Sequence, residues 1–456
     1  MKLYYNRYIF VEGIPLYQQT EVPVSGQGEN MGMMENEPNI PGADAMNEAA
    51  RMQDQPLLPF QLFFLDYQLY SPRLNISNIT LSCRIPASSV DVQALKKAVD
   101  RVFHHYAIFG TVFTFNAAGE LVQRYRPELI PDIEIFHTDE DTCLSQDKLG
   151  FVKPYKMLDS LLWRHQILVT PEHVYLMVDL HHSISDKNSC MNFFRQIFRV
   201  LDGEEPEKDY YYLYLSRLAG KRRSEEAGRD LSLLKKLYGG SWSGTPKTDM
   251  ESRDNANGRS ILQSDHTLAF YRTSAARHQV PLGAALSSAA LLALSRFNQE
   301  SRVQIAWEYH GRKEKWEKDL VGITLCALPF AMDFDQLTTP DAILQDAKKQ
   351  SDLGKRFSEY SYALHDMSPC VHENMAVCYL PGDDDPGNMP EGSQMSVSVD
   401  ALNGMMGLAQ ILITESGPDA PLTVICAYQK TRYRAEHMDT LARLFLEALN
   451  ELLNRA

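Results

Sequence analysis

The sequence predicts a mixed α/β protein built as two similar halves. Apolar runs of strand length alternate with segments of helical periodicity along the body of the chain. A polar stretch from residue 203 to about 262 divides that body in two. The length, 456 residues, suits two lobes better than one core.

Residues 1–54 are expected to be a flexible leader, because VSGQGENMGMMENEPNIPGADAMNEAARMQDQ is polar and rich in Gly, Pro, Asn and Met. A first lobe, 55–202, opens with PLLPFQLFFLDYQLY. SNITLSCRI reads as a strand, and VDVQALKKAVDRVFHHY as a helix with Val92, Leu95, Val99 and Val102 on one side. FGTVFTFNAAGELVQRY reads as a hairpin turning at Asn116–Gly119, and WRHQILVT and HVYLMVDL as two further strands. NSCMNFFRQIFRVLDG is a helix that buries Met191, Phe194, Ile197 or Phe198, and Leu201, and stops at Gly203.

Residues 203–262 are expected to connect the lobes through charged helices. The second lobe, 263–456, begins with LAFYRTSAARHQV and the Ala/Leu-rich helix LGAALSSAALLALSRF. VQIAWEY, GITLCALPFAM, NMAVCYL, GLAQILIT and LTVICAY are its strands. A helix starts at Thr339, with Pro340 at its first position. The closing helix turns Met438, Leu441, Phe445, Ala448 and Leu452 to the core.

A net charge of −14 leaves no basic face for nucleic acid. No run approaches the roughly 18 apolar residues of a membrane span, and MKLYYNRYIFVEGIPLY lacks a signal-peptide core. The seven cysteines are scattered without CxxC spacing, so reduced thiols in a cytoplasm are expected and the sequons at Asn75 and Asn78 carry no meaning.

The stretch DLHHSISDKNSC places His181 and His182 at the end of an apolar strand, four residues ahead of Asp186. In extended backbone the two imidazoles point to opposite sides and cannot share a metal, and no HxxxH or CxxC supplies further ligands. A pair of packing histidines is the bland alternative. Asp186 argues against it, since a carboxylate entering the next helix can fix the backbone that carries His182. An imidazole with an ordinary pKa near 6.5 suits proton acceptance at neutral pH. Without a GxSxG elbow, a base acting on an external nucleophile is favoured over a covalent acyl-enzyme.

These residues resemble a known family. HHSISDKNS is similar to the HHxxxDG signature of the condensation domains of non-ribosomal peptide synthetases and related CoA-dependent acyltransferases. The likeness runs from about Pro56 to the C-terminus. It takes in PLLPFQLFFLDYQLY, VDVQALKKAVDRVFHHY, the tyrosine-rich DYYYLYLSR, WEYHGRKEKWEKDLVGITLCALPFAM and, loosely, ALHDM. The resemblance implies two chloramphenicol-acetyltransferase-like lobes arranged in a V with a tunnel between them. It also implies that the pair His181 and His182 is catalytic, with His182 promoting attack of an amine or hydroxyl on a thioester carbonyl. Asp186 would be structural and paired with Arg312 of HGRKE, as a buried carboxylate needs a partner. Ser189 matches the family serine just inside the following helix, where donors could face oxyanion charge. The chain departs from the pattern at Lys187, where the family has glycine, at His104 and Phe109 in place of arginines, at Cys326-Ala327 in place of Asn-Thr, and in lacking the arginine of the opening motif.

Several other motifs are read as structural. DSL around Ser160 matches a carrier-domain tripeptide but directly precedes a strand, so any carrier is another chain. RHQV (Arg277–Val280) and SYALHD (Ser361–Asp366) are packing or surface segments, KRRSEE is a solvated helix face, and GDDDPGN is an exposed turn without EF-hand spacing.

The expected function is a free-standing condensation-domain-like acyltransferase, moving an acyl group from a phosphopantetheine- or CoA-bound thioester to an amine or alcohol. The partners would be a carrier protein in trans or acyl-CoA, with no bound cofactor or metal, no nucleic acid and no membrane. Two rival readings are an epimerisation domain, which predicts a second acid/base such as a glutamate across the tunnel, and a non-catalytic docking module for carrier-bound peptide. Asp366 and Glu373 lie nearby in sequence, but nothing singles out either as that second group.

Overall fold

A computed structural model describes residues 38–70, 72, 73, 75, 77–139, 151–252, 257–358, 374–381, 387–399 and 408–454. In the first half, helix α1 (Ala43–Arg51) precedes the short strand β1 (Gln55–Pro56) and helix α2 (Pro59–Tyr70). Then come β2 (Asn78–Pro86), α3 (Val92–His105), the hairpin β3 (Thr111–Phe115) and β4 (Leu121–Tyr125), β5 (Ile135–His137), β6 (Trp163–Val169), β7 (His173–His181) and α4 (Lys187–Leu201). Two helices follow, α5 (Tyr211–Arg222) and α6 (Glu225–Tyr238). The second half contains β8 (Asn257–Thr267), α7 (Leu268–Arg277), α8 (Leu282–Asn298), β9 (Arg302–Tyr309), β10 (Cys326–Asp333), α9 (Pro340–Phe357), β11 (Ala376–Leu380), β12 (Gln394–Val399), β13 (Ala409–Thr414), β14 (Pro421–Gln429) and α10 (Ala435–Leu453).

The periodic segments form where their patterns direct. In α3, Leu95, Val99 and Val102 are buried, and Asp91 caps the helix by accepting from the amides of Gln93 and Ala94. Thr339 caps α9 in the same way, with Pro340 at the first position. All five expected core residues of α10 are buried.

Each half has its own main sheet. The first is ordered β12-β2-β7-β6-β5, with β5 and β6 the parallel pair. The second is ordered β10-β9-β11-β13-β14-β8, with parallel pairing at β9–β11 and β11–β13. A small sheet, β1-β4-β3, flanks the first lobe. Helices α8, α9 and α10 cover one face of the second sheet, where Ile305, Val377, Ile411, Val424 and Leu328 are buried.

Three boundaries drawn from the sequence are corrected. The end of the expected leader is ordered, because α1 docks on α5 through its buried Ala43, Asn47 and Ala50. The expected connection at 203–262 contributes to the core and to the second sheet. Tyr211, Tyr212 and Leu213 of α5 are fully buried, and β8 begins at Asn257 as an edge strand of the second sheet. The stretch 263–456 is not confined to one lobe, since β12 leaves it and pairs antiparallel with β2, from Gln394↔Arg84 to Val399↔Ile79. A strand needs a partner for its backbone groups, and β2 supplies an open edge.

Candidate active site

Strand β7 is central in the first sheet, held between β2 (Asn78↔His181) and β6 (Trp163↔Leu180). Its apolar run buries Val174, Leu176, Val178 and Leu180. The strand ends at His181, so the alternation expected across the pair gives way to a turn at His182. His181 is fully buried, whereas His182 keeps part of its surface open to solvent. The backbone N–H of His182 donates to the Ser77 carbonyl at 2.7 Å, which fixes the strand end.

The two rings differ in chemistry. His181 Nδ1 lies 2.7 Å from Ser183 Oγ and accepts from the Ser183 amide at 3.2 Å. That pattern puts the proton on Nε2, which is buried without a hydrogen-bond partner among the described residues. Burial is the main cause that depresses the His181 imidazole to about 3, with the neighbouring His182 and Arg164 charges adding to it. His181 is therefore neutral at any physiological pH.

His182 stacks on Phe64 of α2, with ring centroids 4.3 Å apart and planes 14° from parallel. Burial also lowers its pKa below the ordinary value, opposed by the backbone of His182 and Ser185 and by the Asp186 carboxylate. Its Nδ1 is buried and has no hydrogen-bond partner among the described residues. Nε2 is then the nitrogen that can meet a substrate.

Asp186 caps α4 by accepting from the Ser189 amide at 2.8 Å. Its carboxylate also receives Arg312 Nη1 at 3.0 and 3.1 Å, the Thr324 amide at 2.8 Å and Thr324 Oγ1 at 3.2 Å. Burial pushes this carboxyl up, but Arg312 and the two amides outweigh it and hold the pKa below the usual carboxylate value. Arg312, 3% exposed, spends Nη2 on the carbonyls of Leu320 and Gly322. Ser189 Oγ accepts from the Gly322 amide at 2.8 Å, and Asn192 Nδ2 reaches the Lys318 and Leu320 carbonyls. The loop after His182 is thus stitched to the β9–β10 connection of the other lobe. His181, His182, Asp186, Ser189 and Arg312 come together here, while Ser160 is half-buried three residues before β6 and donates to the Lys156 carbonyl. Asp366 and Glu373 lie outside the described residues.

Lys187, at the glycine position, donates to the Pro381 carbonyl of the second lobe. Its charge also bears on the Cys378 thiol of β11. That thiol hydrogen-bonds Glu308 of β9, whose other neighbour is Gln410 Nε2 at 3.4 Å. Burial raises the Glu308 pKa, with the Cys378 contact opposing. Glu308 lies on the sheet face opposite the helices, opposite Ala327 on β10 and in phase with Ala306. Lys187, five residues past His182, thus joins the first half to the strand end after β11, the strand that carries Cys378.

Glu308, Phe64 and Thr324 were not read from the sequence. Glu308 alternates with apolar residues in VQIAWEY, a signal that one face of this strand is not core. The Phe64 stack and the Thr324 donors depend on contacts between distant segments and leave no local pattern. Among the described residues no group of three His, Cys, Asp or Glu side chains could hold a metal ion, and no single helix is long and apolar enough to cross a membrane.

A condensation-domain family model matches residues 51–456. The fold is similar to that of the condensation domain of the monacolin K polyketide synthase MokA, with TM-score 0.72 and 16% identity over 87% of this chain and 96% of that one. VibH, an NRPS condensation enzyme, superposes with TM-score 0.70 and 16% identity over 88% and 96% of the two chains. A variant starter condensation domain of rhizomide synthetase RzmA, in complex with C8-CoA, gives TM-score 0.70 and 15% identity over 90% and 98%.

Proposed function

Given that this chain belongs to the condensation-domain family, we propose that it is an acyltransferase moving an acyl group from a carrier- or CoA-bound thioester to an amine or hydroxyl. The observation that carries this is His182: a partly open imidazole whose pKa burial lowers, on a loop fixed to the β9–β10 connection by Asp186 and Arg312. The acceptor's lone pair attacks the thioester carbonyl while its proton passes to His182 Nε2. Collapse of the tetrahedral adduct breaks the C–S bond, and the leaving thiolate takes the proton back. His181 stays neutral and shapes the strand end, and Asp186 and Arg312 hold the loop. C8-CoA bound to a similar starter condensation domain supports a thioester donor. The chemistry needs no metal or organic cofactor, only phosphopantetheine or CoA as part of the substrate. A carrier protein in trans or acyl-CoA is the donor partner.

The test is turnover of a panel of acyl-CoA and acyl-carrier thioesters with amines and alcohols, followed by intact mass. His182→Ala should lower the rate by about 10²-fold or more with the fold intact. Absence of transfer by the unaltered protein, with carrier binding retained, would instead support the docking module.

One observation favours a second reading, epimerisation. That reading calls for an acid/base facing His182, and Glu308 is a carboxyl of raised pKa on the sheet face opposite the helices. A carrier-bound aminoacyl thioester in D₂O would then gain deuterium at its α-carbon with the unaltered protein and not with Glu308→Gln. No exchange with either protein removes this reading.

A further inference from the structure

We propose that Asn47, on a helix N-terminal to the matched family region, is a positioning residue for the His182 loop. The inference rests on the reading that His182 is the reacting group. Helix α1 spans Ala43–Arg51, whereas the family match begins at residue 51. The helix is held by polar contacts that are specific in geometry. Helix α5 begins at Tyr211 without a side-chain cap from Tyr210. Asn47 supplies the missing group from outside: its Oδ1 accepts from the Leu213 amide at 2.9 Å, and its Nδ2 donates to the Asp209 carbonyl at 2.8 Å. Asn47 is 4% exposed, so neither bond is readily replaced by water. Arg51 adds Nη2 to Asp209 Oδ2 at 2.7 Å, and the same carboxylate receives the amides of Ala107 and Tyr211.

From α5 the contacts run directly to the site. Tyr211 donates its hydroxyl to the Ile323 carbonyl at 3.0 Å. Its ring lies so close to Gly322 that a Cβ there would come within 2.4 Å. Gly322 in turn donates its N–H to Ser189 Oγ and accepts from Arg312 Nη2, and Thr324, two residues on, donates to Asp186. Asn47 fixes the first turn of α5, that turn aims Tyr211, and Tyr211 holds residues 322–324 against the Asp186 cap four residues from His182. The route is one of packed, hydrogen-bonded groups, and its coupling is what an experiment must measure.

The test uses the full chain with Asn47→Ala, Asn47→Asp and, as a control on the same helix, Met46→Ala at an exposed position. Asn47→Asp keeps an acceptor for the Leu213 amide, and Arg51→Gln serves should Asn47→Ala fail to fold. Amide hydrogen exchange under native conditions should quicken about tenfold or more in Asn47→Ala at residues 211–215 and 321–325. Strands β13 and β14 should be unchanged, Asn47→Asp, which keeps the Leu213 acceptor but loses the donor to the Asp209 carbonyl, should recover only part of the protection, and Met46→Ala should match the unaltered protein. Acceleration confined to residues 43–51 and 209–213, or spread evenly over the chain, overturns the proposal. In the transfer assay kcat should fall several-fold with KM within about twofold. Exchange coupling without any transfer would leave the positioning route standing and remove the acyltransferase reading instead.

Discussion

His182 and Asp179 stand three residues apart on one strand end, and burial acts on them with opposite chemical results. Burial chiefly lowers the His182 pKa from 6.5, so the free base persists to lower pH than in an ordinary imidazole. The acid limb of kcat/KM for acyl transfer should therefore fall below pH 6.5, and a pH–rate profile with a limb at 7 or above would contradict the assignment. Asp179 is pushed up to about 6, mainly by burial, against the opposing Arg164, Tyr155, Asn78 and Thr80. Its folded pKa exceeds its unfolded one, so its contribution to stability is present at low pH and lost as pH rises through about 6. Asp179→Asn removes this slope. Arg164 would still be bonded to the carbonyls of Phe151 and Lys153. Urea unfolding should show the variant gaining on the unaltered protein by roughly 1 kcal/mol between pH 5 and 7.5. At this scale the sequence exposed the histidines and Asp186 because they sit within one short stretch. The partner of Asp186 was reached only through resemblance, because Arg312 is 126 residues away.

The element that sets the cross-lobe stitch is the connection between β9 and β10, and a single glycine shapes it. Gly311 has φ 76°, and a Cβ there would lie 1.9 Å from the Thr324 carbonyl oxygen. The obstacle is backbone, and Thr324 is itself tied to Asp186 and to the His310 carbonyl. Gly311→Ala should cost at least about 2 kcal/mol and loosen the His182 loop, read as a lowered urea midpoint together with faster exchange at residues 186–190. A neutral result would mean that the connection can shift without disturbing the site. Elements with apolar periodicity, such as α3, α4, β7 and α10, were legible because their cores are written in the residues themselves. Helix α1 was not, since it buries two alanines and an asparagine and is held by hydrogen bonds to α5. Strand β8 was not, because an edge strand rich in polar residues looks like the loop before it. Strand β12 alternates as QMSVSV, but no local pattern states that its partner lies in the other lobe.

The two halves are joined as one molecule by β12 on the β2 edge, by the Asp186–Arg312 stitch, and by a core that continues from Ala43 to Leu453. A continuous core predicts cooperative unfolding, and β12 is the backbone tie that can be cut without touching the site. In an edge strand, alternate N–H groups face the neighbour and solvent. Of Val397 and Ser398, which pair with Leu81 and Thr80, one must therefore aim its N–H at β2. Proline at that residue removes a ladder hydrogen bond, whereas proline at the other leaves the ladder whole. One of Val397→Pro and Ser398→Pro should thus cost about 2 kcal/mol or more, and its neighbour should stay near the unaltered protein. With fluorine-labelled tryptophan, Trp163 reports on β6 and Trp307 on β9. In the unaltered chain both should unfold at one urea midpoint. In the damaging variant the Trp163 transition should come first, because its sheet has lost an edge while the second sheet keeps its six strands. Equal midpoints in that variant would mean that the shared core and the Arg312 stitch alone couple the lobes. Indifference to both prolines would mean that β12 does not hold β2 in solution.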